Sequence, residues 1–183
     1  STPLAAESAD AVASAGSRGW RDPTVVASLI GRLALVLAGA FLLRDMTERG
    51  VFAPQAGVAL GFAYGLVWLF LTDRVGARGQ APSAVFHAIA AALVAFPLLV
   101  EATTRFEVLT GTTSAVVLAV LTAGLLLVAW RRRLHAVAWV TVIVALPTSI
   151  WLLGKTGVVV PFAFYLIAFG VATLWMGYAL DWL

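Results

Sequence analysis

The chain has 183 residues, of which 62% are hydrophobic and 11% are charged, and its mean hydropathy is +0.99. These values lie far outside the range of soluble globular domains and indicate a surface that faces lipid. The net charge of +3 is spread over separate segments, which argues against nucleic-acid binding despite a pI of about 10.0. The chain contains no cysteine, which excludes disulfides, thiolate catalysis, iron–sulfur clusters and cysteine-ligated zinc within it.

The first segment of the chain has the composition of a tail. Ser1 to Gly19 are rich in Ala, Ser and Gly and carry few large apolar side chains, so they cannot bury enough surface to fold alone. The stretch also lacks the basic region, apolar core and cleavage site of a secretory signal. Residues 1–22 are therefore predicted to be a flexible cytoplasmic N-terminal tail, and residues 23–183 a transmembrane domain.

Six long apolar stretches fill the rest of the chain. A hydrocarbon core of about 30 Å needs about 20 residues of helix to cross it, and a backbone in lipid must satisfy its own hydrogen bonds. The predicted spans are Thr24 to Leu43, Gln55 to Leu71, Pro82 to Val100, Thr112 to Trp130, Leu134 to Leu153 and Val158 to Leu180. The prediction is thus an all-α polytopic membrane protein, a bundle of about six transmembrane helices, with Pro97, Pro147 and Pro161 expected to kink their spans.

The basic residues predict the orientation, because cytoplasmic loops retain Lys and Arg. One side of the predicted bundle, which includes both termini, has eight basic residues, and the other side has four. The first set comprises Arg18, Arg21, Arg32, Arg74, Arg78, Arg131, Arg132 and Arg133, and the second Arg44, Arg49, Arg105 and Lys155. Both termini are therefore predicted to be cytoplasmic. Most tryptophans fall near a predicted helix end, as indole anchors do.

Arg32 is the one charge that the prediction leaves near the hydrocarbon. About 18 Å of helix separates Arg32 from Arg44, so both long side chains can reach the headgroups by snorkelling. Both are interpreted as lipid or interface anchors, together with Arg131, Arg132 and Arg133. A buried pairing or a lipid-phosphate site is the alternative for Arg32.

His87 is the candidate cofactor-binding residue. It lies inside the third span, with Ser83 and Ala91 one turn away on either side. A neutral imidazole ligates haem iron or chlorin magnesium, and small neighbours would leave room for a flat macrocycle. The alternative is a hydrogen bond between helices or an interfacial position. The remaining sequence predicts no metal site and no catalytic residue.

Gly57, Gly61 and Gly65 repeat at every fourth position of the second span. Such a strip lets another helix approach closely, and packing within the chain is favoured over a contact between subunits. Asp45, Glu48, Glu101 and Glu107 are interpreted as solvated loop charges, and an enzyme or metal site would need them to converge.

The first two spans resemble a known family. The residues that carry the resemblance are the run from Gly31 to Arg44, then Gly50, Pro54 and the run from Gly57 to Gly61. They resemble the repeated opening of a large group of uncharacterised, predicted bacterial polytopic membrane proteins whose domain has no assigned function. Members of that group are usually longer, so the chain looks like a reduced relative or a fragment-sized unit. The resemblance implies a bacterial membrane location and no catalytic residues.

Three functions remain open at this point. The nearly charge-free spans, short loops and glycine strip favour a non-catalytic accessory or scaffold subunit of a larger bacterial membrane complex, respiratory or photosynthetic, with other membrane-protein subunits and lipids as partners. A small permease or channel for a neutral or lipid-like solute is the alternative, since ion-coupled transport normally needs intramembrane charges. Pigment or haem binding at His87 is the third. An enzyme is not expected.

Overall fold

A computed structural model describes the backbone of residues 23–179 and the side chains of residues 27–179. The predicted tail, residues 1–22, lies outside the described residues. The six helices are α1 (Pro23–Glu48), α2 (Pro54–Gly76), α3 (Ala81–Thr104), α4 (Gly111–Arg132), α5 (His135–Thr156) and α6 (Val159–Ala179). All six are long and apolar enough to cross a membrane. Over the residues that the structure describes, the fold is thus all-α with six helices that are long and apolar enough to span a membrane, as the sequence predicts.

The chain divides into two units, 1–38 and 39–183. The described part of the first unit is the beginning of α1, where Arg32 is exposed. The second unit holds the end of α1 and all of α2 to α6. Short connections join its successive helices, so these helices run antiparallel.

Helices α1 and α2 continue beyond the predicted spans, to Glu48 and to Gly76. The predicted spans end where the run of apolar residues ends. A helix can continue at the headgroup level when its polar side chains pair with one another, as Arg44 does with Glu48 one turn later at 2.7 Å. At the start of α4, the side chain of Thr110 accepts a hydrogen bond from the backbone N–H of Thr113 at 3.3 Å, which caps the helix.

The three prolines that were expected to kink their spans occupy different positions. Pro97 and Pro147 lie inside α3 and α5, and each helix continues through its proline. Pro161 lies in the first turn of α6 instead. A proline there removes no helical hydrogen bond, because first-turn N–H groups have no partner within the helix. The expectation of a kink at Pro161 therefore does not hold.

Helix α3 is the centre of the second unit and packs against α2, α4 and α5. Its buried face is made largely of alanine, and Phe96 and Leu99 extend it toward the end of the helix. The buried alanines are Ala84, Ala88, Ala90, Ala91, Ala92, Ala95 and Ala102. Small side chains allow helix axes to approach closely in lipid, where packing rather than water exclusion drives association.

The glycine strip of α2 packs within the chain. A Cβ on Gly65 would lie 3.3 Å from the Cβ of Ala95, and one on Gly61 would lie 2.6 Å from the Cδ2 of Leu98, both on α3. A Cβ on Gly57 would overlap the side chain of Thr47 on α1. The strip therefore lies against side chains of two neighbouring helices, α1 and α3.

Candidate functional site

The polar groups at one end of the second unit join α2 to α4. We call this end the Arg132 end; α2, α4 and α6 finish there. Arg132 donates from Nε to Oδ1 of Asp73 at 2.8 Å and from Nη2 to Oδ2 at 3.0 Å. This two-bond geometry is the strongest that a guanidinium and a carboxylate can form. Nearby, a Cβ on Gly76 would lie 3.1 Å from Cγ of Arg132, so the two helix ends approach closely.

The turn after Arg132 explains the exposure of its neighbours. Arg133 has a φ of 51°, in the left-handed region that often ends a helix. The N–H of Leu134 bonds to the carbonyl of Ala129 at 2.9 Å, and Leu134 is buried. Arg131 and Arg133 are exposed and belong to none of the ion pairs formed by the described residues. Arg131 and Arg133 suit the predicted role of interface anchor, whereas Arg132 is used to join helices.

The opposite end, the Arg44 end, has a chain of alternating charges. Arg44 contacts Glu48 and Glu101, each at 2.7 Å. Glu48 also contacts Arg105 at 2.9 Å. This series of ion pairs connects the last turns of α1 with the end of α3 and with Arg105, the residue that follows α3. Arg44 is thus an ion-paired residue at the membrane boundary, and its charge is balanced by carboxylates.

The interpretation of the acidic residues as loop charges is wrong for three of the four. Asp45, Glu48 and Glu101 lie in helices. Glu48 and Glu101 converge on Arg44, while Asp45 pairs with Arg49 at 2.8 Å and only Glu107 lies in a loop, where it is exposed. In the described part of the chain, no group of three or more His, Asp or Glu side chains could hold a metal ion. The convergence forms ion pairs, since each carboxylate that meets Arg44 is satisfied by a cation.

His87 has one nitrogen occupied and rings on its flanks. Its Nδ1 lies 2.5 Å from the carbonyl oxygen of Ser83. A carbonyl only accepts, so Nδ1 carries the proton in this bond and Nε2 keeps a lone pair. The ring centroid of Trp68 lies 5.5 Å away and that of Phe86 5.6 Å away. The electronic arrangement suits an axial ligand, because ligating histidines usually donate their other N–H to a carbonyl or carboxylate.

The space that a macrocycle would need beside His87 is largely filled. Ala91, one of its small neighbours, is 4% exposed and lies among side chains of α2, α3 and α4. The indole Nε1 of Trp68 is buried and has no hydrogen-bond partner among the described residues. The contact between this indole and the His87 ring favours the alternative role of His87 in packing between α2 and α3.

The buried hydroxyl groups of the described helices are all hydrogen-bonded. Two hydrogen bonds between hydroxyl groups also link helices: Thr103 with Ser114 at 2.6 Å, and Thr122 with Tyr165 at 3.0 Å. The buried polar residues are Thr47, Thr72, Thr103, Ser114, Thr122, Thr141 and Ser149, and each hydroxyl lies within hydrogen-bond distance of a carbonyl of its own helix or of the residue before it. Of Thr103 and Ser114, one donates to the hydroxyl of the other and that other donates to its carbonyl, because each hydroxyl has one hydrogen. The interior hydroxyls are therefore already satisfied by the protein.

Comparison with known proteins finds no matching family model, no matching curated protein and no matching solved structure. The resemblance of the first two spans to the uncharacterised bacterial membrane family stays a prediction.

Proposed function

We propose that this chain is a non-catalytic accessory or scaffold subunit of a larger membrane protein assembly. The observation that supports the proposal is the use of its polar side chains within the bundle. The ion pair of Asp73 and Arg132 joins α2 to α4, and the ion pair of Arg44 and Glu101 joins α1 to α3. The buried hydroxyls are bonded to backbone carbonyls. The carboxylates and arginines of these pairs are thus occupied in joining helices, and the buried hydroxyls in bonds to the backbone.

The surface of the second unit offers apolar area for lipid or for helices of other subunits. Large side chains on α4, α5 and α6 are exposed, including Leu127, Ile143 and Phe164 at 50%, 65% and 71%. Helices associate in a membrane through such surfaces when their shapes match. The proposed location is the bacterial cytoplasmic membrane, with both termini in the cytoplasm, and the proposed assembly is a respiratory or photosynthetic one.

The first experiment is purification from the native membrane in mild detergent, with identification of co-purifying proteins and an absorption spectrum. A partner of constant stoichiometry is the expected result, and recovery of the chain only as a free monomer would contradict the proposal. A visible band that disappears in His87→Ala would assign a pigment or haem to that residue.

Photo-crosslinking identifies the contact surface in the same preparation. A photoreactive amino acid is placed singly at Phe70, Leu127, Ile143 or Phe164, which are exposed on four different helices. If the chain contacts another subunit, the photoreactive residue should crosslink to one protein from one or two of these positions and to lipid from the others. Buried Phe96 is the control position, from which crosslinks to the partner are not expected.

The second candidate function is a permease for a neutral or lipid-like solute. The observation in its favour is that Pro97 and Pro147 lie inside two neighbouring helices, α3 and α5, and line the same groove. Pairs of membrane helices that contain an internal proline are a sequence feature of many transporter binding sites. Solute uptake or leak in vesicles containing only the purified chain would support this function over that of a subunit.

A further inference from the structure

Two open grooves flank Trp151 in the half of the second unit that leads to the Arg44 end. The first lies between α3 and α5, has a volume of about 440 Å³, and is lined by Pro97, Val100, Val144 and Pro147. The second follows α5 itself and is lined by Pro147, Ile150, Gly154 and Lys155. Trp151 and Pro147 border both grooves. The grooves are therefore neighbours with a common wall.

The residue types explain why this surface is hollow. The compact rings of Pro97 and Pro147 occupy positions where the surrounding α3 and α5 carry longer side chains. Gly154 carries no side chain, and a Cβ added to it would meet no atom within 4 Å. The indole of Trp151, which is 56% exposed, stands between the two depressions.

The distance from the helix ends to the inner prolines of the grooves, measured along the helix axes, is close to the thickness of one leaflet of a bilayer. Pro97 lies about 10 Å along the axis from Thr104 at the end of α3, and Pro147 lies about 13 Å from Thr156 at the end of α5. Half of a hydrocarbon core of about 30 Å is about 15 Å. An acyl chain that begins near the helix ends would thus lie along most of either groove.

The charged group at the mouth of the second groove is the ammonium group of Lys155. Lys155 lies in the last turn of α5, exposed, with its Nζ 5.3 Å from the ring centroid of Trp151. It belongs to none of the ion pairs among the described residues. Glu101, at the mouth of the first groove, is already paired with Arg44. A phosphate at this level would meet an ammonium group with no carboxylate partner.

We propose that the two grooves around Trp151 bind the two acyl chains of one glycerophospholipid, whose phosphate lies on Lys155. The proposal is independent of any partner subunit, because every group that it uses belongs to α3 and α5. The bound lipid would fill the space that Pro97, Pro147 and Gly154 leave open, and so extend the packed surface of the protein.

The test measures lipid binding to the purified full chain by native mass spectrometry. Delipidated protein is titrated with phosphatidylglycerol, and separately with diacylglycerol of the same acyl chains, which lacks the phosphate. We expect one phospholipid to bind more tightly than the annular background. Lys155→Gln should weaken phosphatidylglycerol binding about five-fold, which corresponds to about 1 kcal/mol for one basic residue near a membrane surface, and should leave diacylglycerol binding unchanged.

Matched variants separate this site from general lipid contact. Arg49→Gln removes a cation at the same end, outside both grooves, and should leave binding unchanged. Val144→Trp fills the first groove and should lower binding of both lipids, whereas Val116→Trp adds the same bulk to an exposed position on α4 and should not. Equal binding by Lys155→Gln and the unaltered chain, or equal effects of the two tryptophan variants, would overturn the proposal. Lys155 is exposed, so its replacement tests the proposal even if Val144→Trp does not fold.

Discussion

At Gly57, an added Cβ would overlap Thr47, whose Oγ1 donates to the carbonyl of Leu43 at 2.8 Å. That bond and the branched Cβ fix the threonine rotamer, so α1 would have to move. Gly57→Ala should therefore lower the unfolding free energy by about 1–3 kcal/mol, measured as thermal or denaturant unfolding in detergent. Gly61→Ala should cost less, because the end of the Leu98 side chain can rotate away.

The control for this series is Gly154→Ala, where the added methyl group meets open space. Alanine has a higher helix propensity than glycine by about 1 kcal/mol, so the variant should be as stable as the original chain or more stable. If Gly57→Ala and Gly154→Ala had the same stability, the contact between Gly57 and Thr47 would be contradicted.

The pair of Asp73 and Arg132 has side chains that are 28% and 23% exposed. A double-mutant cycle with Asp73→Ala and Arg132→Ala should give a coupling free energy in the upper part of the range for ion pairs at a protein surface, because the pair is bidentate. The exposed pair of Asp45 and Arg49, at 49% and 73%, should give about 0.3 kcal/mol. Equal coupling in both cycles would mean that the pair between α2 and α4 adds nothing beyond a surface contact.

The sequence shows which residues carry a charge, but it does not predict which of them form ion pairs with one another. Arg44 and Glu48 are four residues apart, a spacing that does predict a pair on one helix. Asp73 and Arg132 are separated by 59 positions, and Glu101 meets Arg44 from another helix. Such pairs depend on which helices are neighbours and on how each is rotated, and one sequence without its relatives does not contain that information.

Between elements, the hydrogen bond of Thr122 and Tyr165 links α4 to α6 at 3.0 Å. Tyr165→Phe removes it, while Thr122 keeps its 2.7 Å bond to the carbonyl of Leu118. No buried donor is left without a partner, so the expected loss of stability is small, about 0.6 kcal/mol, as for other hydrogen bonds between membrane helices. Tyr178→Phe is the matched control, since Tyr178 is 81% exposed, and it should not change the unfolding midpoint.

The existence and order of the helices follow from the sequence because lipid leaves the backbone few choices. The ends were predicted less well: an apolar window stops at Leu43, whereas the helix stops at Glu48. The strip of Gly57, Gly61 and Gly65 predicts close packing, but not which helix each glycine meets. For His87, the sequence supplied a residue suited to ligation, whereas the proximity of Trp68 and the burial of Ala91 depend on packing.

The orientation of the whole molecule in the membrane can be measured with introduced cysteines. The chain has no cysteine, so a single introduced thiol has no background within it. Arg133→Cys and Arg49→Cys place that thiol at opposite ends of the second unit, both at exposed positions. If the excess of arginine marks the cytoplasmic side, a membrane-impermeant maleimide added to intact cells should label Arg49→Cys and spare Arg133→Cys.

Permeabilised cells provide the control, because both thiols should then react to the same extent. Labelling of Arg133→Cys alone in intact cells would reverse the orientation, and the cytoplasmic placement of both termini would then be wrong. It would also place Lys155 and the two grooves beside Trp151 in the cytoplasmic leaflet, where anionic lipids are concentrated in many membranes. The lipid proposal would survive that result, since it depends on the depth of the grooves and on Lys155 and not on the side of the membrane. The two measurements therefore test separate properties of the same molecule.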